Sequence, residues 1–520
     1  MSGDFNKKAD KAKRREERTR KEQQEKRRLR IITTIVIIVL AVLISGAVFV
    51  NSKYVRRSIA AISIGGVNFS AAEFDFFYNS TASEYTNYMT NQLGDYASSY
   101  LPSTSSPHSR QIYNPDTGET WADFFTAYTI DQISVQVQYY KLAKAAGFVM
   151  PDKSKEAIDN EIDTYKMYAE MYGVSLDTFI QTYIGVNLNE NVIRKVLEFM
   201  YTASTYAESV RDSFTYTDGE IAACYAENKE SMDSITYRYF LVYMESVSQS
   251  DYETDEEYED AKASALEESS ILASEIASRI NSEDDFINEA GEYDPESYRE
   301  SDSTLRTYPG SWLSSDYKEW LLDEGREYGD VMTAEMSNGT YVVFFIDRDA
   351  NEYRLASMNQ ILILRQVLEV EDYEYGKDDP AYIEAFGLVD EVAKATADEA
   401  LALFIEGGAT KEKLIELMAD YPDDTTPEGY YELISKNSAD NKMVSEIEKW
   451  LFAPERQVGD YELIRTEDYG YHLVYFDGYG ERYCDYLADT KLRDADYNAW
   501  NEGLEPVEAV TRWAFIFRSN

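Results

Sequence analysis

The sequence is poor in the side chains on which most site chemistry depends. It holds two cysteines, Cys224 and Cys484, and two histidines, His108 and His472, in 520 residues. That scarcity excludes zinc ribbons, a disulfide-stapled scaffold and most imidazole-based metal sites, so no metal or other cofactor is expected. The two cysteines read as separate buried thiols. Positive charge is also short: 50 Lys and Arg stand against 96 Asp and Glu, a formal charge of -46. A phosphate backbone demands a basic face, so the balance speaks against nucleic acid as a partner and favours basic or neutral clients.

Long apolar runs are almost absent, and the one exception organises the chain. Ile31 to Val50 is twenty residues without a charge. At about 1.5 Å per residue it matches a hydrocarbon layer of roughly 30 Å, which predicts a single membrane-spanning helix over 31–50. A signal peptide is the competing assignment, but its apolar region runs to about 7–15 residues and ends in small side chains. Residues 1–30 carry 13 Lys or Arg and 6 acids. The positive-inside rule therefore places this tail in the cytoplasm, where it sets topology and rests on anionic head groups, and places residues 51–520 outside.

With 44% apolar residues, the exported part is long enough for several domains. Residues 60–231 read as helical, opening with a short strand and turn over Ile62 to Ser70 and a Ser70-capped helix. Leu101 to Thr120, rich in Ser, Pro and Thr, reads as a surface loop carrying a solvated His108. Thr217 and Glu220 have capping-box spacing and start another helix. From Ser234 the pattern changes to β-branched and aromatic strands alternating with helices, with a hairpin at Asn338-Gly339. The acidic stretch Asp251 to Asp260 reads as a helix lead-in, since it lacks the Gly-centred loop of an EF-hand. Domains are expected at 234–350 and 354–480, followed by a helix and a strand in 481–520.

Those two domains read as a duplication. A shift of 130 residues aligns Trp320–Asp347 with Trp450–Asp477, and seven of 28 positions are identical, including Trp320/Trp450, Arg326/Arg456, Asp330/Asp460 and Tyr341/Tyr471. The period is too long for a solenoid, which predicts two tandem α+β domains. The 44 tyrosines, against 22 phenylalanines, suit a wet groove that accepts varied apolar segments.

The arrangement resembles the SurA/PrsA class of exported foldases. The likeness rests on Ile64-Gly-Gly-Val-Asn68, Lys141–Gly147 and Asp218–Asn228 in the helical part. In the second repeat it rests on Tyr421–Gly429, Met443–Ile447, Leu451-Phe452, Gly459 and Gly470–Leu473. The resemblance implies an α+β multidomain protein: one transmembrane helix, a helical SurA-N-like chaperone domain and two parvulin-like peptidyl-prolyl isomerase domains. Parvulins resembling this chain use two histidines, a Cys or Asp, and a Met/Phe pair. Carried over, the second repeat keeps His472, Asp424, Met443 and Phe452, but has Gln360 in place of a histidine and Ile447 in place of the pocket aromatic. The first repeat has Tyr239 and Val342 at the histidine positions, so no isomerase activity is expected there.

Each residue also has a purely structural role open to it: His472 satisfied locally in its strand, Asp424 bonding a turn, Met443 as core. Three functions stay open. The first is a membrane-anchored chaperone for unfolded or proline-containing exported polypeptides, with weak or no isomerisation. The second is an active isomerase, and the third is a structural subunit of the envelope or secretion machinery.

Overall fold

The computed structural model describes residues 26–45, 48–49, 52–298, 301–368, 377, 379–436 and 443–518; most of the basic tail, 1–25, and residues 46, 47 and 50 of the expected span lie outside them. Helix α1 (Lys26–Ser45) is long and apolar enough to cross a membrane, and none of it is buried. Its two threonines bond back to the helix, Thr33 Oγ1 to the Leu29 carbonyl and Thr34 Oγ1 to the Arg30 carbonyl, each at 2.8 Å. Such back-bonds satisfy hydroxyls that a hydrocarbon layer would leave unpaired.

The chain forms two compact units, residues up to Phe214 with those from Asp496 onward, and Thr215–Ala495. The first begins with α2 (Lys53–Ser58) and a hairpin of β1 (Ala60–Ile64) and β2 (Val67–Ser70). Gly65 and Gly66 turn that hairpin with φ of 55° and 87°, values that suit glycine. Next come α3 (Ala71–Leu93), the small ribbon of β3 (Ile112–Asn114) and β4 (Glu119–Thr120), α4 (Trp121–Ala146), α5 (Asp152–Met171), α6 (Leu176–Tyr183) and α7 (Glu190–Ser213). Capping boxes start α3, with Ser70 and Glu73, and α4, with Thr120 and Asp123. The core is aromatic, with Phe74, Phe77, Phe125 and Phe199 among its members.

The C-terminus returns to this unit, where Ala509–Thr511 pairs antiparallel with β1. The terminal strand is shorter than expected, because a 3-10 turn, Trp513–Phe517, follows it and packs Phe515 against Phe74. His108 is half-buried rather than solvated: Tyr78 bonds its Nδ1 at 2.8 Å and Phe125 lies 5.1 Å from its ring.

The second unit opens with α8 (Asp218–Met232), which carries the Thr217–Glu220 capping box. Sequence reasoning assigned this helix to the helical part. Cys224 and Met232 instead pack on Ala488 within the second unit. Cys224 and Cys484 are both buried and free.

Two antiparallel four-stranded sheets follow. The first contains β5 (Ser234–Tyr243), α9 (Asp255–Ala277), α10 (Glu283–Tyr293), β6 (Leu305–Pro309), α11 (Lys318–Leu322), β7 (Val331–Met336) and β8 (Gly339–Asp349), in strand order β6-β5-β8-β7. The second contains β9 (Arg354–Leu364), α12 (Pro380–Glu406), α13 (Lys411–Leu417), β10 (Tyr430–Ile434), α14 (Ser445–Leu451), β11 (Tyr461–Arg465) and β12 (Gly470–Arg482), in the matching order β10-β9-β12-β11. Helix α15 (Tyr483–Glu502) follows β12, and its residues up to Ala495 belong to this unit.

Both sheets are covered on two faces. Long helices lie on one face: α9 and α10 meet Phe240, Val342 and Phe344, while α12 and α13 meet Ile361, Ile363 and Leu473. A short helix lies on the other, α11 against Val343 and Phe345, α14 against Val474 and Phe476.

The repeated Trp, Arg and Asp form one device used twice. Arg326 stacks 4.2 Å over Trp320 and bonds Asp330 at 3.0 Å; Arg456 stacks 3.9 Å over Trp450 and bonds Asp460 at 3.4 Å. Each arginine thereby ties the short helix to the start of the next strand.

Candidate functional site

The site builds on the short-helix face of the second sheet. Period-two alternation along β9 turns Met358 and Gln360 toward α14 and Ile361 and Ile363 toward α12. Strand β12 pairs His472 with Leu362 and Val474 with Gln360, so His472 and Gln360 are diagonal neighbours on one face. The turn before β10 presses against β9. Gly429 has φ of 53°, and a Cβ there would lie 2.2 Å from the Gln360 carbonyl oxygen, so only glycine fits.

These elements bring together Gln360, Asp424 and His472. The Gln360 side-chain amide donates to Asp424 Oδ2 at 2.8 Å and to the Tyr431 hydroxyl at 3.1 Å. Its Oε1 faces His472 Nδ1 at 3.0 Å, and His472 Nε2 faces Thr466 Oγ1 at 3.1 Å. Tyr431 donates to Asp424 at 3.0 Å and accepts from the Thr426 hydroxyl at 2.9 Å, while the Thr426 N–H bonds Asp424 Oδ1 at 2.8 Å.

The network assigns its own protons. The Gln360 amide points its nitrogen at a carboxylate, so its oxygen accepts from His472 Nδ1–H, and Nε2 is left to accept from Thr466. Burial pushes His472 down to about 4, against weaker opposing pulls from Asp424 and Glu446, so the ring is neutral at neutral pH. Burial also raises the Tyr431 phenol.

Above this polar floor is a cavity of about 520 Å³. Leu362, Ile434, Met443, Val444 and Ile447 supply apolar wall, with Tyr430, Tyr469 and Glu432 also lining it. Met443 and Ile447 thus line the same cavity as Gln360 and His472. Phe452 does not line the cavity: α14 ends at Leu451, and the Phe452 ring turns edge-on to Tyr353 at 5.5 Å. Sequence reasoning missed Tyr431, Thr426 and Thr466. The motif Asp424-Thr-Thr-Pro427 gave a local signal for Thr426; the other two are recognisable only once the strands pair.

The strand registers also correct the position matched to His472. Val331 pairs with Phe344, whereas Tyr461 pairs with Tyr475. The shift is thus 130 on the first strand of the hairpin and 131 on the second, because the loop closed by the Thr466 N–H to the Gly470 carbonyl is one residue longer. The counterpart of His472 is Tyr341, not Val342, which faces α9. Tyr239 remains the counterpart of Gln360, since Leu241 pairs with Tyr341 as Leu362 pairs with His472.

In the first sheet Tyr239 and Tyr341 meet edge to face at 5.4 Å. Tyr317, at the Ile447 position, closes on both and bonds the Tyr237 hydroxyl at 3.3 Å. Arg306 covers Tyr239 at 5.2 Å. Tyrosine fills this face where the second sheet leaves space.

No family model matches the chain, and no curated protein matches it. Among solved structures, it is similar to the foldase protein PrsA of Streptococcus pneumoniae str. Canada MDR_19A at 10% identity, over 54% of this chain and 90% of that one, with a TM-score of 0.20. It is similar to PrsA from Bacillus subtilis at 15% identity, over 55% and 93%, with a TM-score of 0.15. A structure of SurA-like chaperones from Campylobacter jejuni, PEB4 and Cj1289, shares 13% identity over 51% and 92%, with a TM-score of 0.13.

Proposed function

We propose that the chain is a membrane-anchored extracytoplasmic chaperone of the foldase type. It binds unfolded exported polypeptides, and the second sheet receives a proline-containing segment in its cavity with weak or no isomerisation. Helix α1 is the single anchor, with the basic N-terminus in the cytoplasm. The observation that carries the proposal is an apolar cavity of about 520 Å³ over a polar floor whose donors are all engaged.

Rotation about an X-Pro bond meets a barrier of about 18–20 kcal/mol, and an enzyme lowers it by offering groups that bind the twisted amide better than the planar one. Here the Gln360 amide, the Tyr431 hydroxyl and both His472 nitrogens bond one another or Asp424, Thr426 and Thr466. Turning any of them toward a substrate breaks a bond of the network, a penalty of about 1 kcal/mol or more per bond. The cavity favours holding a prolyl ring over twisting its peptide bond.

The test is suppression of aggregation of an unfolded client by the full chain in lipid nanodiscs, compared with Ile447→Tyr. Suppression that weakens in the variant supports the chaperone and its cavity. Suppression unchanged in the variant removes the cavity from the function. No suppression, with stoichiometric capture of one folded partner, makes the chain a structural subunit.

A further inference from the structure

One group of exposed apolar and aromatic side chains in the first unit gathers on a helical hairpin. On the hairpin of α5 and α6, Met167 is 57% exposed, Met171 66%, Tyr172 54% and Tyr183 59%, with Val186 just beyond at 64%. The rings are ordered among themselves: Tyr172 stacks on Tyr183 at 5.3 Å, and Tyr168 on Phe179 at 6.0 Å. Residues 171–176, the tip, carry no charge and turn at Gly173 with φ of 65°. A patch of this kind on a soluble surface marks a contact with something apolar.

Its neighbour is the segment that leaves α1. Lys53 Nζ bonds Gln181 Oε1 on α6 at 3.2 Å. Arg56 bonds Asn187 Oδ1 at 3.2 Å, and Arg57 bonds the carbonyls of Asn187 and Leu188 at 2.6 and 2.8 Å. Helix α2 is therefore clamped to the chain immediately beside Tyr183 and Val186. At most residues 46–52 lie between α1 and α2, and 48 and 49 are themselves helical. At about 3.5 Å per residue that connection reaches at most roughly 28 Å. Tyrosine, with an apolar ring and a polar tip, is the residue type that collects at membrane–water interfaces, and the exposed Lys53 suits anionic head groups.

We infer that the α5–α6 hairpin is a second membrane contact, a foot whose Met and Tyr side chains rest in the headgroup layer beside the exit of α1. The inference rests on α1 spanning the membrane, and the test separates the two. Spin labels are placed on the full chain at Tyr172→Cys, Val186→Cys, Leu40→Cys and, as a solvent reference on α7, Ser209→Cys. The buried Cys224 and Cys484 stay in place, and labelling of the unsubstituted chain sets the background. In vesicles of phosphatidylcholine and phosphatidylglycerol, access to oxygen is compared with access to a water-soluble nickel chelate.

The expected result is a hydrocarbon signature at 40, an aqueous one at 209, and loss of most nickel access at 172 and 186. With Met171→Glu and Tyr183→Glu added, the label at 186 should regain it. Labels at 172 and 186 as aqueous as that at 209, with 40 in hydrocarbon, overturn the foot and leave the span. An aqueous label at 40 overturns the span itself and the foot with it. Protection at 172 and 186 that appears only when an unfolded client is added makes the hairpin a polypeptide-binding face and also overturns the inference.

Discussion

In the first sheet, Tyr239, Tyr317 and Tyr341 meet where the second sheet holds Gln360, Ile447 and His472. The frames match strand for strand, and the same Trp–Arg–Asp device locks each short helix. What differs is side-chain volume and polarity on one face. Three tyrosines pack edge-on and tilted into a plug, whereas an aliphatic side chain, an amide and a neutral imidazole leave a cavity of about 520 Å³ over hydrogen-bonded polar groups. The comparison teaches that one scaffold is packed solid when this face is aromatic and opens a cavity when the aromatic filling is withdrawn.

The strongest way to break the second sheet's site is Gly429→Ala. The left-handed φ and the clash with the Gln360 carbonyl together should cost about 4 kcal/mol, read as faster amide exchange in β9 and β12 with β5 and β8 unchanged. Unchanged exchange in β9 would show that the turn is not held against it.

Acid should separate the sheets next. His472 titrates near 6.5 when unfolded and at about 4 when folded, so between these values the unfolded chain binds more protons. Its contribution is complete above about pH 6.5 and is lost as pH falls to about 4, roughly 3 kcal/mol in all. The region 234–350 contains no histidine. Amide exchange in β12 against pH, compared with His472→Gln, isolates the term; identical profiles in the two proteins would refute it.

Importing the first sheet's filling sharpens the comparison further. Ile447→Tyr should occupy the cavity, cost about 2 kcal/mol through imperfect packing, and abolish the response of Met443 methyl signals to a prolyl peptide. A retained response would place the peptide elsewhere. The smallest effect is expected from Arg306→Ala, about 1 kcal/mol from the lost stacking on Tyr239, confined to exchange in the first sheet.

Local signals were legible in the sequence: the Ser70 and Thr217 caps, the hairpin expected at Asn338-Gly339, which turns one residue earlier at Ser337-Asn338, the apolar α1 and the repeated Trp, Arg and Asp. The edge strands β6 and β10 were not. They are short, one ends at Pro309, and Leu433 bulges the other with φ of 52°, so neither shows clean alternation. The single-residue slip between repeats escaped because both registers keep apolar alternation and Tyr341 and Tyr471 coincide by letter while facing opposite sides. Thr466 and Tyr431 meet His472 and Gln360 only through strand pairing, which leaves no mark in local composition. The expected tyrosine-lined groove is in part core, since Tyr237 and Tyr317 are buried against other tyrosines.

The central claim is that the second sheet holds a prolyl segment over a committed polar network. Exchange NMR of a short X-Pro peptide with the full chain in nanodiscs tests it most directly, alongside His472→Ala and Asp424→Ala. The account predicts that the peptide binds and that its cis–trans exchange is accelerated little or not at all. Strong acceleration that disappears in both variants would contradict it and make the second sheet an isomerase.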